Sequence, residues 1–131
     1  YDTPDILMEE GIEYVCDWVN DDQPYVMNTK YGRLGSLPYT VEMNDIPMYM
    51  VQHHRSPEIY ERGRDQFDTL YREAETSARV MCIAVHPYIS GAPHRIKYLD
   101  MLLEYIASHE GVLMWTGGQI LDWFNAASAS A

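Results

Sequence analysis

Apolar and polar positions along this chain switch between a helical period and short apolar runs, and the switch points mark its elements. Thr3-Pro4-Asp5 opens the first helix, with Thr3 as N-cap and proline at the first helical position. Ile6, Leu7 and Met8 carry the helix toward Gly11, a natural helix stop. Ile12 to Cys16 reads as a strand ending on Asp17-Trp18, and a polar loop follows from Val19 to Tyr25. Asn28, Gly32 and Gly35 break the stretch Val26 to Ser36 into a hairpin or an extended excursion. Leu37 to Val41 reads as a short strand in which Pro38 limits ladder pairing, and the Met-rich segment Ile46 to Arg55 as a long loop.

The second half is more regular. Ser56-Pro57 repeats the N-cap and proline pattern, and the helix it opens is expected to run to about Thr76. Tyr60, Phe67, Leu70, Tyr71 and Ala74 form its buried stripe, with charged residues opposite. Val80 to Val85 is an unbroken apolar run that suits a strand buried on both faces, and it ends on His86. After a loop from Pro87 to Pro93, His94 to His109 forms the next helix and Gly111 stops it. Val112 to Trp115 reads as the last strand, and Thr116 caps a closing helix from Gly117 to Phe124. Strands alternating with helices predict an α/β fold built on a parallel sheet or barrel.

Composition narrows the functional classes. With 131 residues, 47% of them hydrophobic, the chain has enough apolar surface for one ordinary domain. Nine Lys and Arg face 20 Asp and Glu, for a net charge of −11. Nucleic acids and anionic membranes both demand clustered basic residues, so neither is an expected partner. The apolar runs are far shorter than the ~20 residues of a membrane span. No signal peptide is visible, and a cytoplasmic location is expected. The chain opens on Tyr1, so further sequence is expected upstream. Cys16 and Cys82 lie in apolar runs and are expected as buried, unpaired thiols of a reducing compartment.

Three expected strands end in polar groups: Asp17 with Asp21 and Asp22, Glu42 with Asn44 and Asp45, and His86. The strand ends of a parallel barrel open on one face, which would bring these groups together. Carboxylates beside an imidazole suit amide hydrolysis, where one group activates water and another protonates the leaving nitrogen. A carboxylate also fixes the imidazole tautomer and favours its protonated form, and Asp17 is the partner this logic assigns to His86. Trp18, Tyr25 and Tyr88 are candidates to stack on a sugar or planar ring, although aromatics at strand ends also pack as walls. Asp21-Asp22 also fits solvated loop charge, and Asn44-Asp45 an Asx-turn. Adjacent His53 and His54 lack metal-ligand spacing and suit a surface loop.

These stretches carry a resemblance. Thr-Pro-Asp-Ile-Leu-Met-Glu-Glu-Gly-Ile-Glu-Tyr, Cys-Asp-Trp with Asp-Asp-Gln-Pro-Tyr, Leu-Pro-Tyr-Thr-Val-Glu-Met-Asn-Asp and Val-His-Pro-Tyr together resemble the C-terminal portion of the polysaccharide deacetylase superfamily. The similarity is greatest to its allantoinase-like branch, whose members open cyclic amides without a metal. The resemblance implies a distorted (β/α)7 barrel about twice this length. Residues 1–125 would supply about four parallel strands with covering helices, and residues 126–131 a frayed tail. It implies that His86 is the acid that protonates the leaving nitrogen and that Asp17 orients it. Trp18, Asp21, Asp22, Tyr25, Asn44, Asp45 and Tyr88 would line the substrate pocket.

The expected function is hydrolysis of non-peptide C–N bonds, either opening a cyclic ureide or amide or removing an N-acyl group. An N-acetyl-sugar deacetylase and a non-catalytic ligand-binding remnant of the fold are the alternatives. No cofactor and no metal ligands are expected from this chain. The family motifs that supply the catalytic base and a divalent metal, an Asp-Asp strand end and a His-x-x-x-His pair, are not in it. Four parallel strands cannot close a barrel. The isolated segment is therefore expected to be inactive and to pack against an N-terminal half, a partner chain or a second copy as a homo-oligomer.

Overall fold

The computed structural model describes residues 2–129. They divide into two compact units, one of residues 2–39 with 115–129 and one of residues 40–114. No helix among the described residues is long and apolar enough to cross a membrane.

The first unit opens with helix α1, Thr3–Glu9. Thr3 lies inside the helix and Asp2 takes the cap position, one residue earlier than the sequence suggests. Gly11 ends it as expected, in the left-handed region at φ 83°. Its N–H donates to Met8 O and that of Ile12 to Leu7 O, a Schellman closure that satisfies the last carbonyls. Strand β1 is only Tyr14–Val15. It pairs in parallel with β3, Gly32–Ser36, while β2, Tyr25–Thr29, pairs antiparallel on the other side of β3. The order is β1-β3-β2, and β2 and β3 are the hairpin the glycines predict.

Helix α4, Gly117–Ala129, packs on this sheet. Thr116 and Gln119 form a capping box, in which Gln119 Oε1 accepts from Thr116 N–H at 2.9 Å and Thr116 Oγ1 accepts from Gln119 N–H at 3.4 Å. Leu121 lies against Gly35, where a Cβ would sit 2.7 Å from its Cδ1. The helix continues through Ala129, so residues 126–129 are helical rather than a frayed tail; residues 130 and 131 lie outside the described residues. Small residues fit here because alanine is the strongest helix former.

The second unit contains α2, Glu58–Glu73, and α3, Ile96–Ala107, packed on each other. Met43, Met48, Ile59, Phe67, Ile89 and Leu102 form the centre of its core. Gly63 allows the helices to approach, since a Cβ there would lie 2.4 Å from Leu102 Cδ2. The segment expected as a long loop instead contains a π-helix, Ile46–Val51, closed by Gln52 N–H donating to Pro47 O at 2.9 Å. It buries Met48 and Tyr49, so the Met-rich pattern marks core rather than loop.

The strands are where the sequence overestimates order. Leu37–Val41, Val80–Val85 and Val112–Trp115 form no ladder, and β1 is shorter than Ile12–Cys16. Parallel pairing among the described residues reduces to β1 with β3 and one isolated bridge, Asn44 with Ala84. The fold class is α/β as expected. Apolar β-branched composition supplies a tendency, whereas a strand exists only where a neighbour completes consecutive hydrogen bonds. Cys16 is exposed and Cys82 only partly buried, because neither run sits inside a two-sided sheet.

Candidate active site

The isolated bridge is small but it positions the chemistry. Ala84 N–H donates to Met43 O at 2.9 Å, and Asp45 N–H donates to Ala84 O at 3.1 Å. This register sets residues 43–45 beside residues 84–86. Asn44 Oδ1 accepts from Ile46 N–H at 3.0 Å, an Asx-turn that starts the π-helix and fixes the backbone at Asp45.

Asp45 has 0% exposure. Its Oδ1 accepts from His86 Nδ1 at 2.7 Å. Its Oδ2 accepts from the His86 backbone N–H at 2.7 Å and from Ser90 Oγ at 2.8 Å. Every donor comes from one turn, which is closed by Ile89 and Ser90 N–H groups donating to His86 O at 2.9 and 3.0 Å. Gly91 sits where the Pro87 carbonyl leaves no room, as an added Cβ would lie 2.3 Å from Pro87 O.

Burial by itself pushes the Asp45 carboxyl up, but the His86 backbone, His86 ring and Ser90 donors, with the imidazole charge, together hold it below the ordinary carboxylate range. Asp45 is therefore an ionised acceptor, which puts a proton on His86 Nδ1 in either charge state of the ring. Nε2 has no hydrogen-bond partner among the described residues, and the His86 side chain is 36% exposed. A fixed Nδ1–H with an open Nε2 is an imidazole arranged to give or take a proton at one atom.

Of the sequence candidates, the second unit brings His86, Asp45 and Tyr88 together. Tyr88 is 74% exposed and meets the His86 ring edge-on at a centroid distance of 5.6 Å. The carboxylate on Nδ1 is Asp45, where the sequence pointed to Asp17. Asp45, expected among the pocket-lining residues, is fully buried in this unit and bonded to the His86 ring. Asn44 spends its side-chain carbonyl on the turn. Asp17, Trp18, Asp21 and Asp22 are exposed and belong to the first unit, where Asp21 Oδ1 accepts from Gln23 N–H at 3.2 Å. Tyr25 opens β2 in the same unit, its hydroxyl accepting from Asn20 Nδ2 at 2.7 Å.

Sequence reasoning missed Ser90, whose only signal was its place four residues after His86. Arg95, expected to open a helix and as a lesser candidate to touch substrate, stands at the N-cap of α3. Arg95 lies over the Tyr49 ring at 4.6 Å, with Nη1 toward Ile89 O at 3.4 Å.

No protein-family model matches the chain. A Schizosaccharomyces pombe protein classed by inference as a polysaccharide deacetylase is 35% identical over 121 residues, covering 84% of this chain and 38% of that protein. A peptidoglycan deacetylase of Helicobacter pylori is 37% identical over 113 residues, covering 86% of this chain and 33% of that protein. The crystal structure of PuuE allantoinase superposes with a TM-score of 0.88 at 32% identity, covering 95% of this chain and 43% of that one. Over most of its own length the chain is similar to proteins of the polysaccharide deacetylase superfamily.

The chain spans less than half the length of these superfamily proteins. Among its described residues no group of three His, Cys, Asp or Glu is placed to hold a metal ion. The polar pair that this segment does bring together is Asp45 with His86.

Proposed function

We propose that this chain supplies the acid half of an active site that hydrolyses a C–N bond other than a peptide bond. The observation that carries the reading is the His86 imidazole, held at Nδ1 by a buried carboxylate with Nε2 open. Water adds to the carbonyl carbon of the substrate and gives its proton to a base supplied from outside this segment. As the tetrahedral species collapses, the C–N bond breaks and its electron pair goes to nitrogen. His86 Nε2–H gives that nitrogen its proton and the ring becomes neutral. Asp45 keeps the ring oriented throughout.

Tyr88 offers an exposed aromatic edge beside His86, suited to the face of a sugar or a cyclic ureide. The two named deacetylases favour removal of an N-acetyl group, and the structural similarity to an allantoinase favours opening a cyclic ureide. A divalent metal, where the reaction uses one, would draw its ligands from outside this segment.

Turnover of an N-acetylated sugar oligomer, read as acetate release, and of a cyclic ureide, read as ring opening, tests the proposal in the protein's active form. His86→Ala is expected to lower kcat by about 10²–10⁴-fold on the substrate that is turned over, with little change in KM. An unchanged kcat rejects the acid role. Tight binding of either ligand with no turnover would favour a binding remnant of the fold instead.

A further inference from the structure

Asp45 Oδ2 accepts two hydrogen bonds, and one of them comes from a side chain with no other assigned task. Ser90 is 2% exposed, and its hydroxyl lies 2.8 Å from Asp45 Oδ2. Its own backbone N–H closes the turn on His86 O at 3.0 Å. Ser90 is thus tied to His86 twice, once through the backbone and once through the shared carboxylate.

A hydroxyl that donates to a buried carboxylate does two things. It fixes the plane of the carboxylate, so that Oδ1 stays in line with Nδ1. It also draws charge away from the carboxylate and so limits how tightly Asp45 holds the imidazolium proton. An acid that must release a proton at each turnover needs that limit. With Asp45 relieved of one donor, the imidazolium would be more stable and a poorer acid.

We propose that Ser90 is a positioning residue for His86, its hydroxyl holding the Asp45 carboxylate in plane and tempering its pull on the imidazolium. The inference deepens the proposed acid role of His86 and rests on it for its kinetic consequence. Ser90 does not serve as a nucleophile in this arrangement, because its proton goes to Asp45 and not to the imidazole. The titratable and charged groups around His86 are Asp45 on one side and Tyr88 on its own turn, with Tyr49 and Arg95 packed behind the turn. Of these groups, Asp45 is the one that Ser90 touches, so replacing Ser90 acts on His86 through that carboxylate.

The decisive measurement is the titration of the His86 ring nitrogens by long-range proton–nitrogen NMR in the full chain, wild type against Ser90→Ala. The variant is expected to raise the His86 midpoint by about half a unit while keeping the Nδ1–H tautomer in the neutral form. Ser90→Thr, which keeps the hydroxyl, is expected to restore the wild-type midpoint. In the active protein, Ser90→Ala should lower kcat about 3- to 10-fold at unchanged KM and move the alkaline limb of the rate profile up by the same interval. An unmoved or lowered His86 midpoint in a folded Ser90→Ala chain, with only a lower melting temperature, would show a packing role and overturn the proposal. The NMR result stands apart from turnover: a raised midpoint with no effect of His86→Ala on rate would reject the acid role and leave the Ser90 linkage intact.

Discussion

Asp45 combines full burial with three donors, and that combination sets its sensitivity to substitution and to pH. Asp45→Asn places an amide N–H against either the Nδ1–H or the pair of donors on Oδ2. A donor facing a donor in a buried site costs about 1–3 kcal/mol, and urea unfolding should show a loss of that size. The charge matters separately. The folded carboxyl titrates below its ordinary value of 3.8, so the unfolded chain binds more protons between the two values. The stability that Asp45 contributes is fully present above that ordinary value. It is lost as pH falls through the lowered folded value. Unfolding midpoints measured from pH 5 downward should therefore fall less steeply in Asp45→Asn than in wild type.

At the scale of elements, the turn 86–90 holds the Asp45–His86 pair, and its backbone closure matters as much as its side chains. Pro87 fixes one φ, and the His86 carbonyl accepts two N–H groups. Gly91 then lets the chain pass under the Pro87 carbonyl. Gly91→Ala must displace backbone rather than a flexible side chain, so a cost of about 1–3 kcal/mol is expected. Amide hydrogen exchange at Ile89 and Ser90 should rise by more than at residues of α2. Helices were legible in the sequence because their punctuation is local: Pro4 and Gly11, Ser56-Pro57, Gly111, and the Thr116–Gln119 box. The π-helix was not, since Ile-Pro-Met-Tyr-Met-Val has no period that separates it from a buried loop. The expected strands at 37–41, 80–85 and 112–115 failed for a different reason. Their residues favour extended structure, but their ladders depend on neighbours distant in sequence.

For the whole molecule, charge is the dominant global property. A net charge of −11 repels itself in any compact state. Screening lengthens with dilution, from a Debye length of about 8 Å at 0.15 M to about 30 Å at 0.01 M. The melting temperature should thus rise as salt is added over that range. Solubility should fall as pH is lowered into the carboxylate range, where the net charge approaches zero. Thermal scans across a salt series check the first expectation, because a flat response would mean that the acidic groups are dispersed widely enough for their repulsion to be negligible.

The sequence by itself determined the helices, the turns that bound β2 and β3, the acidic composition, and His86 as the candidate on which the proposed chemistry is built. It also carried the superfamily resemblance, through motifs that are specific only in combination. The partner of His86 was decided by tertiary structure alone. Asp17 and Asp45 both follow apolar runs and carry the same group, and nothing local ranks one above the other. A single parallel bridge between Asn44 and Ala84 puts the Asp45 carboxylate 2.7 Å from Nδ1, and the turn that follows brings Ser90 to its second oxygen. Pairing register across some 40 residues of intervening chain is a long-range property, and a buried carboxylate goes to whichever donors that register delivers.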